Sequence, residues 1–154
     1  MTNAYPSLKR FARLEAQIDN PQEVGMTQHG QRRLIPILGG HVAGDGWEGR
    51  VLPGGADYQL IVTPRMAELD ARYTIETDAG DYIFVQNRAI RVADSDTTER
   101  LLRGESVDPS QVYFRCSPSF ETASPSLKWI CERLFIGTGI RRPDTVELEL
   151  FEVC

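Results

Sequence analysis

The chain has 154 residues, with 17 lysines and arginines against 22 aspartates and glutamates, a formal net charge of −5. That is one domain's worth of length, read here as a single barrel domain over residues 1–154, and its 41% apolar and 25% charged residues are ordinary for a folded domain. Two histidines (His29, His41) and three cysteines (Cys116, Cys131, Cys154), none close to another in sequence, exclude the paired ligands of a structural zinc site and a disulfide framework. No metal and no cofactor are expected. The odd cysteine count points to free thiols and a reducing compartment, the cytoplasm. Residues Met1 to Arg10 show no apolar run behind Lys9 and Arg10, so no signal peptide is expected. No stretch approaches the ~20 apolar residues of a membrane-spanning helix. The acidic balance disfavours nucleic acid as a partner.

In chain order, the first element is ambiguous. Leu8, Phe11, Leu14 and Ile18 fit a helix face, whereas Ala12, Leu14, Ala16 and Ile18 fit one face of a strand. Arg32 to Leu38 reads as a strand, with Pro36 at an edge or bulge because proline lacks a ladder donor. Between Gly39 and Gly49 stand five glycines. Gly44, Gly46 and Gly49 match the spacing of a dinucleotide-binding loop, but no amphipathic helix or second acidic-ended strand follows. Turns and bulges at strand corners are the expected use. Tyr58 to Thr63 is a strand. Leu69 to Glu76 alternates with period two, Thr77 to Gly80 offers turn chemistry, and Tyr82 to Gln86 follows, which predicts a hairpin. Asp94 to Gly104 reads as a loop running into a helical turn ended by Gly104. Val112 to Cys116, Leu134 to Ile140 and the alternating Val146, Leu148 and Leu150 are further strands, with a short helix expected at Ser126 to Arg133. About eight to nine strands with short connections predict an all-β chain, an antiparallel barrel.

Gly54-Gly55-Ala56-Asp57-Tyr58, followed by Leu69-Asp70-Ala71-Arg72-Tyr73, resembles the domain-of-unknown-function 3237 family of small bacterial and fungal proteins. The resemblance continues through Gly39-Gly40, Gly49 to Pro53, Asn87-Arg88, Tyr113 to Arg115, Phe120 to Thr122, Trp129 and Gly137 to Gly139. It implies a closed antiparallel barrel that is a homo-oligomer, and it turns the amino-terminal ambiguity toward strand. Arg88 to Arg91 departs mildly from the family's small residue before an arginine, so Arg91 is not carried over.

Polar residues planted in strand-like blocks are the candidates for chemistry. Asp70 and Arg72 share one side of a strand, as do Tyr113 and Arg115. Facing inward, they would give the barrel two arginines, a phenol and a carboxylate, a set able to hold an anionic or carbonyl ligand and move a proton. Facing outward, with Leu69, Ala71, Tyr73 and Ile75 as the core side, Asp70 and Arg72 are a surface pair. A register change of one residue exchanges the two readings, and sequence leaves both open. Asp57, after two glycines, suits either a turn cap or a general base. Asp57, Asp70 and Tyr113 are the candidate catalytic residues. Arg72, Asn87, Arg115, Glu121 and Trp129 are the candidate substrate-binding residues. His29 and His41 read as exposed loop residues, Cys116 and Cys131 as buried apolar fillers. Ser117 lacks a nucleophile elbow.

The expected function is a cofactor-independent enzyme acting by acid–base chemistry on a small, partly apolar carbonyl or carboxylate compound. The chemistry would be isomerisation, cyclisation, addition–elimination or lactone opening. A non-catalytic ligand carrier and an oligomeric accessory protein without a pocket are the alternatives. The expected partner is a small molecule, with neither nucleic acid nor membrane.

Overall fold

The computed structural model describes residues 4–154; Met1 to Asn3, the start of the amino-terminal stretch read above, lie outside the described residues. The strands are β1 (Leu8–Ile18), β2 (Gln22–Thr27), β3 (Gly30–Gly44), β4 (Trp47–Val51), β5 (Gly55–Thr63), β6 (Met66–Thr77), β7 (Tyr82–Val92), β8 (Tyr113–Thr122), β9 (Leu134–Arg141) and β10 (Thr145–Val153). A helix, α1 (Ser95–Leu102), and a 3-10 turn (Pro109–Gln111) join β7 to β8, and a 3-10 helix (Pro125–Glu132) joins β8 to β9. The strands pair antiparallel in the order β1, β10, β9, β8, β7, β6, β5, β3, and β3 returns to β1. The result is a closed eight-stranded barrel with two additional strands, β2 and β4. No helix among the described residues is long and apolar enough to cross a membrane.

The amino-terminal segment is a strand, and its mixed periodicity has a local cause. The β1–β10 register shifts between Arg10 and Ala12. This bulge turns the Phe11 side chain out of the alternation, while Ala12, Leu14, Ala16 and Ile18 remain inside. Phe11 joins an aromatic plug at one end of the barrel, its ring 4.8 Å from Phe135, 5.7 Å from Phe120, 5.8 Å from Trp47 and 5.9 Å from Trp129. Such tilted and edge-on contacts add to the area buried.

Strand β3 is long because it serves two sets of neighbours. Its first half pairs with β2 and β5, its second with β1 and β4. Pro36 lies where β3 passes from β2 to β1, as expected of a residue without a ladder donor; its carbonyl accepts a bond from Asp19 N–H at 3.0 Å. Gly39 and Gly40 follow at the corner. A Cβ on Gly40 would fall inside van der Waals contact of the Glu15 carbonyl oxygen, so glycine here permits β1 and β3 to meet. Gly44 to Trp47 is a hairpin turn with Gly46 at φ 75°. The glycine-rich stretch therefore serves strand geometry and opens no helix.

The expected hairpin forms as β6 and β7, paired from Met66↔Val92 to Glu76↔Tyr82. The charged segment after β7 becomes α1, whose amino end is capped by Asp94 accepting from Thr97 N–H at 2.7 Å, with Gly104 at φ 77° beyond its last turn. One seam stands apart. Strands β8 and β9 share only the pairs Arg115↔Thr138 and Cys116↔Gly137, with Ser117 Oγ donating to the Phe135 carbonyl at 3.1 Å beside them.

Candidate functional site

The barrel's pairing rows determine which side chains share the lumen, because residues paired across a ladder point to the same face. One row runs Ile35, Asp57, Ala71, Asn87. The next runs Arg33, Gln59, Leu69, Ala89, Cys116, and the one beyond brings Ile61, Ala67, Arg91 and Phe114 together. All lie on the inner face. The small Ala71 and Ala89 leave space at the centre, a cavity of ≈ 60 Å³. Leu14, Ile35, Leu69 and Leu148 make its wall largely aliphatic; Asp57, Gln59, Tyr73, Asn87, Arg91 and Arg141 supply the polar groups.

Asp57 is the carboxylate of this cavity. Its Oδ2 accepts from Gln59 Nε2 at 2.8 Å and its Oδ1 from the backbone N–H of Asp70 at 3.1 Å. Burial pushes its pKa up; the Gln59 hydrogen bond, the charge of Arg91 and the Asp70 N–H oppose that only in part. Asp57 caps no turn: the backbone group it receives belongs to the neighbouring strand.

Arg91 is 5% exposed and makes no ion pair or side-chain hydrogen bond among the described residues. Burial brings its pKa down to about 10, with the charge of Asp57 opposing the shift and Arg141 and Arg33 adding to it. Arg33 is more firmly held. Its Nη1 donates to the Leu102 carbonyl at the end of α1 at 3.1 Å, and its Nε stands 3.5 Å from Glu23, close enough for charge pairing but without hydrogen-bond alignment. Arg141 donates to the carbonyls of Arg142 and Pro143. Three further buried polar atoms have no partner: Gln59 Oε1, Tyr73 Oη and Asn87 Oδ1. Burial keeps the Tyr73 phenol protonated far above neutrality. Unpaired buried polar groups are costly and uncommon, and here they converge on one cavity.

Of the residues named from sequence, Asp57 and Asn87 stand in the lumen. Asp70 and Arg72 stand on the outer face, where Arg72 Nη2 meets Asp70 Oδ2 at 3.1 Å and Gln86 Nε2 reaches Asp70 Oδ1 at 3.2 Å. The little burial there raises the Asp70 pKa, but the hydrogen bonds of Arg72 and Gln86 outweigh it and leave it below the usual range. The inward placement is thus corrected: the apolar side of β6 takes the core. The same correction applies to Tyr113 and Arg115. Both are exposed, the guanidinium 5.1 Å from the Tyr113 ring, while Phe114 and Cys116 point inward. Glu121 is exposed on the outer face of β8 opposite Phe84. Trp129 is 43% exposed and belongs to the plug at the other end of the barrel. Cys131 is exposed rather than buried; Cys116 is buried, its thiol pushed up to about 11 by burial.

Sequence reasoning missed Arg33, Gln59, Tyr73, Arg91 and Arg141. The signal was period two. Gln59 lies two residues beyond Asp57, and Arg91 four beyond Asn87, each on the same face as its predecessor.

The comparisons with known proteins agree with this architecture. The model of the protein-of-unknown-function family DUF3237 matches residues 6–153. A UPF0311 protein of Rhodopseudomonas palustris is 42% identical over 140 residues, 91% of this chain and 92% of that one. The UPF0311 protein of Clostridium acetobutylicum is 39% identical over 137 residues, 88% of this chain and 87% of that one. Among solved structures, a protein of unknown function from R. palustris superposes with a TM-score of 0.91 at 40% identity over 100% of both chains. An enzyme from Penicillium herquei superposes with a TM-score of 0.73 over 100% of this chain and 98% of that one; at 18% identity this likeness concerns the fold alone. With a family model spanning nearly its whole length and close relatives covered end to end, the chain belongs to the DUF3237 family.

Proposed function

We propose that this protein is an enzyme that moves a proton on a small, partly apolar carbonyl or carboxylate compound inside the barrel. The observation that carries this reading is Asp57: a half-buried carboxylate bordering a cavity, its pKa raised by burial, with Arg91 lining the same cavity. A general base works best with a pKa drawn toward neutrality. In the proposed step Asp57 takes a proton from carbon next to the substrate carbonyl. The C–H electron pair moves onto the carbonyl oxygen, and the resulting enolate is stabilised by Arg91 and by the side-chain amide of Asn87. Return of the proton from Asp57 to a different carbon completes an isomerisation and restores the protein; where the Tyr73 hydroxyl donates instead, the proton held by Asp57 must pass back to the phenolate oxygen before the next turnover. The roles first sought in Asp70, Tyr113, Arg72 and Arg115 pass to lumen residues. The P. herquei enzyme shares the barrel, but a barrel of one shape hosts many reactions, and it is the lumen side chains that distinguish them.

The aliphatic wall favours one second reading, a carrier that binds without turnover. The cavity itself argues against a filled, pocketless accessory barrel. Screening small enones, lactones and aromatic acids for turnover separates the two. The enzyme reading expects turnover that Asp57→Asn abolishes and Asn87→Ala weakens. Binding without turnover, unchanged in Asp57→Asn, would establish the carrier instead.

A further inference from the structure

We infer that the ligand of this cavity is an organic anion whose acid group is received by Arg91 and Arg141 at the α1 end of the barrel. The inference rests on the lumen being the binding site and adds the chemical class of what it binds.

The charges around the cavity come from four strands. Asp57 on β5, Arg91 on β7 and Arg141 on β9 line it, with the Tyr73 hydroxyl on β6; Arg33 on β3 and the Cys116 thiol on β8 stand in the lumen beyond its lining. Three guanidiniums thus stand within the field of one lumen carboxylate, Asp57. Arg33 is already engaged by Leu102 and Glu23, and one Arg141 nitrogen by the Arg142 and Pro143 carbonyls. The Arg91 guanidinium, which lines the cavity in a residue only 5% exposed, has no ion-pair or side-chain hydrogen-bond partner among the described residues. Asp57 does not supply one, since its oxygens are turned to Gln59 and to the Asp70 N–H. A buried cation left this way is expensive unless an anion completes it.

The same cavity argues for an organic anion. Leu14, Ile35, Leu69, Phe114 and Leu148 border the space beside the guanidiniums and would cover an apolar body. A planar carboxylate matches the guanidinium fork in two parallel hydrogen bonds. Such a ligand would lie with its acid at Arg91 and its body past Ala89 and then Ala71, toward Asp57 and Asn87.

Two matched probe pairs test this by calorimetry on the whole protein: benzoate against benzamide, and butyrate against butyramide, with inorganic phosphate as a third arm. At least one acid is expected to bind about tenfold or more tightly than its amide. Arg91→Gln should lose about tenfold or more of that acid's affinity while leaving the amide's unchanged, and Arg141→Gln should weaken the acid by a smaller factor. The inference is overturned if neither acid binds, if the amides bind as well as the acids, or if phosphate binds and both acids fail. If Arg91→Gln does not fold, the wild-type pairs together with Arg141→Gln still decide. Asp57→Asn separates the two readings. Acid binding retained in that variant, with no turnover found in the wild type, would sink the enzyme reading and leave the anion site standing. Turnover of neutral lactones without acid binding would do the reverse.

Discussion

The carboxylate of Asp57 accepts a hydrogen bond from the backbone N–H of Asp70 at 3.1 Å, while the side chain of Asp70 itself stands outside the barrel wall. Two aspartates that are close in space thus live in different solvents. Burial raises the pKa of Asp57, and its neighbours' hydrogen bonds lower that of Asp70. Only the first is moved in the direction a general base requires.

This difference has a stability consequence. A carboxyl whose pKa is raised on folding takes up a proton as the chain folds, so stability falls as pH rises through the interval from its unfolded to its folded value. Asp57→Asn removes that penalty. Gln59 can turn its amide to present Oε1 to the new side chain, keeping the pair bonded. The variant is expected to melt higher than wild type at neutral pH, with the difference shrinking as pH falls through the acidic range. For a domain of this size each 1 kcal/mol recovered raises Tm by about 2–4 °C. Thermal melts of both proteins across pH would check this; a lower Tm for Asp57→Asn at neutral pH would count against a strained carboxylate.

Tyr73 offers a second discrimination. Its hydroxyl is buried and unpartnered, and removing such a group relieves a desolvation cost of about 1–3 kcal/mol. Tyr73→Phe is therefore expected to be as stable as wild type or more so. If the hydroxyl serves as a proton donor, the same variant should lose turnover. A destabilised Tyr73→Phe would mean that the hydroxyl has a partner in the resting protein.

The outer pair gives the opposite expectation. Asp70→Asn and Arg72→Gln change a solvent-exposed contact, which salt screens and side-chain entropy discounts. Both should leave Tm and the affinity for carboxylate probes unchanged within error. Loss of probe binding on Arg72→Gln would return these residues to the site.

Gly40→Ala probes the closure of the barrel. The added Cβ meets the Glu15 carbonyl, a backbone atom that cannot swing away. Forcing β1 from β3 should cost about 1–3 kcal/mol or more, visible in a urea midpoint. An unperturbed midpoint would show that this corner has slack.

Much of the fold was legible because strand alternation is a local signal. Leu69, Ala71, Tyr73 and Ile75 mark the core side of β6, and the Asp/Gly turn after it marks the hairpin. Asp57 and Asn87 were legible as polar residues in the family's blocks. The orientation of Asp70 with Arg72, and of Tyr113 with Arg115, was not, because two faces of one strand differ by a single step of register. Phe11 shows the same limit, since a bulge hides strand periodicity. Arg33 and Arg141 were out of reach for another reason. What brings them beside Asp57 is the wrapping of strands that are distant in sequence, and nothing within either strand announces it.

The short ladder between β8 and β9 bears on how a ligand could arrive. A cylinder of equally joined staves parts nowhere first, but this one has a joint held by two residue pairs and the Ser117 bond. Phe114, on the cavity wall, and Gly139, whose missing side chain makes room for that ring, border this seam. Sparse cross-strand bonding gives a low free energy of local opening. Amide hydrogen exchange should find β8 and β9 the first to part, making the seam a side door to the lumen at the end opposite the aromatic plug.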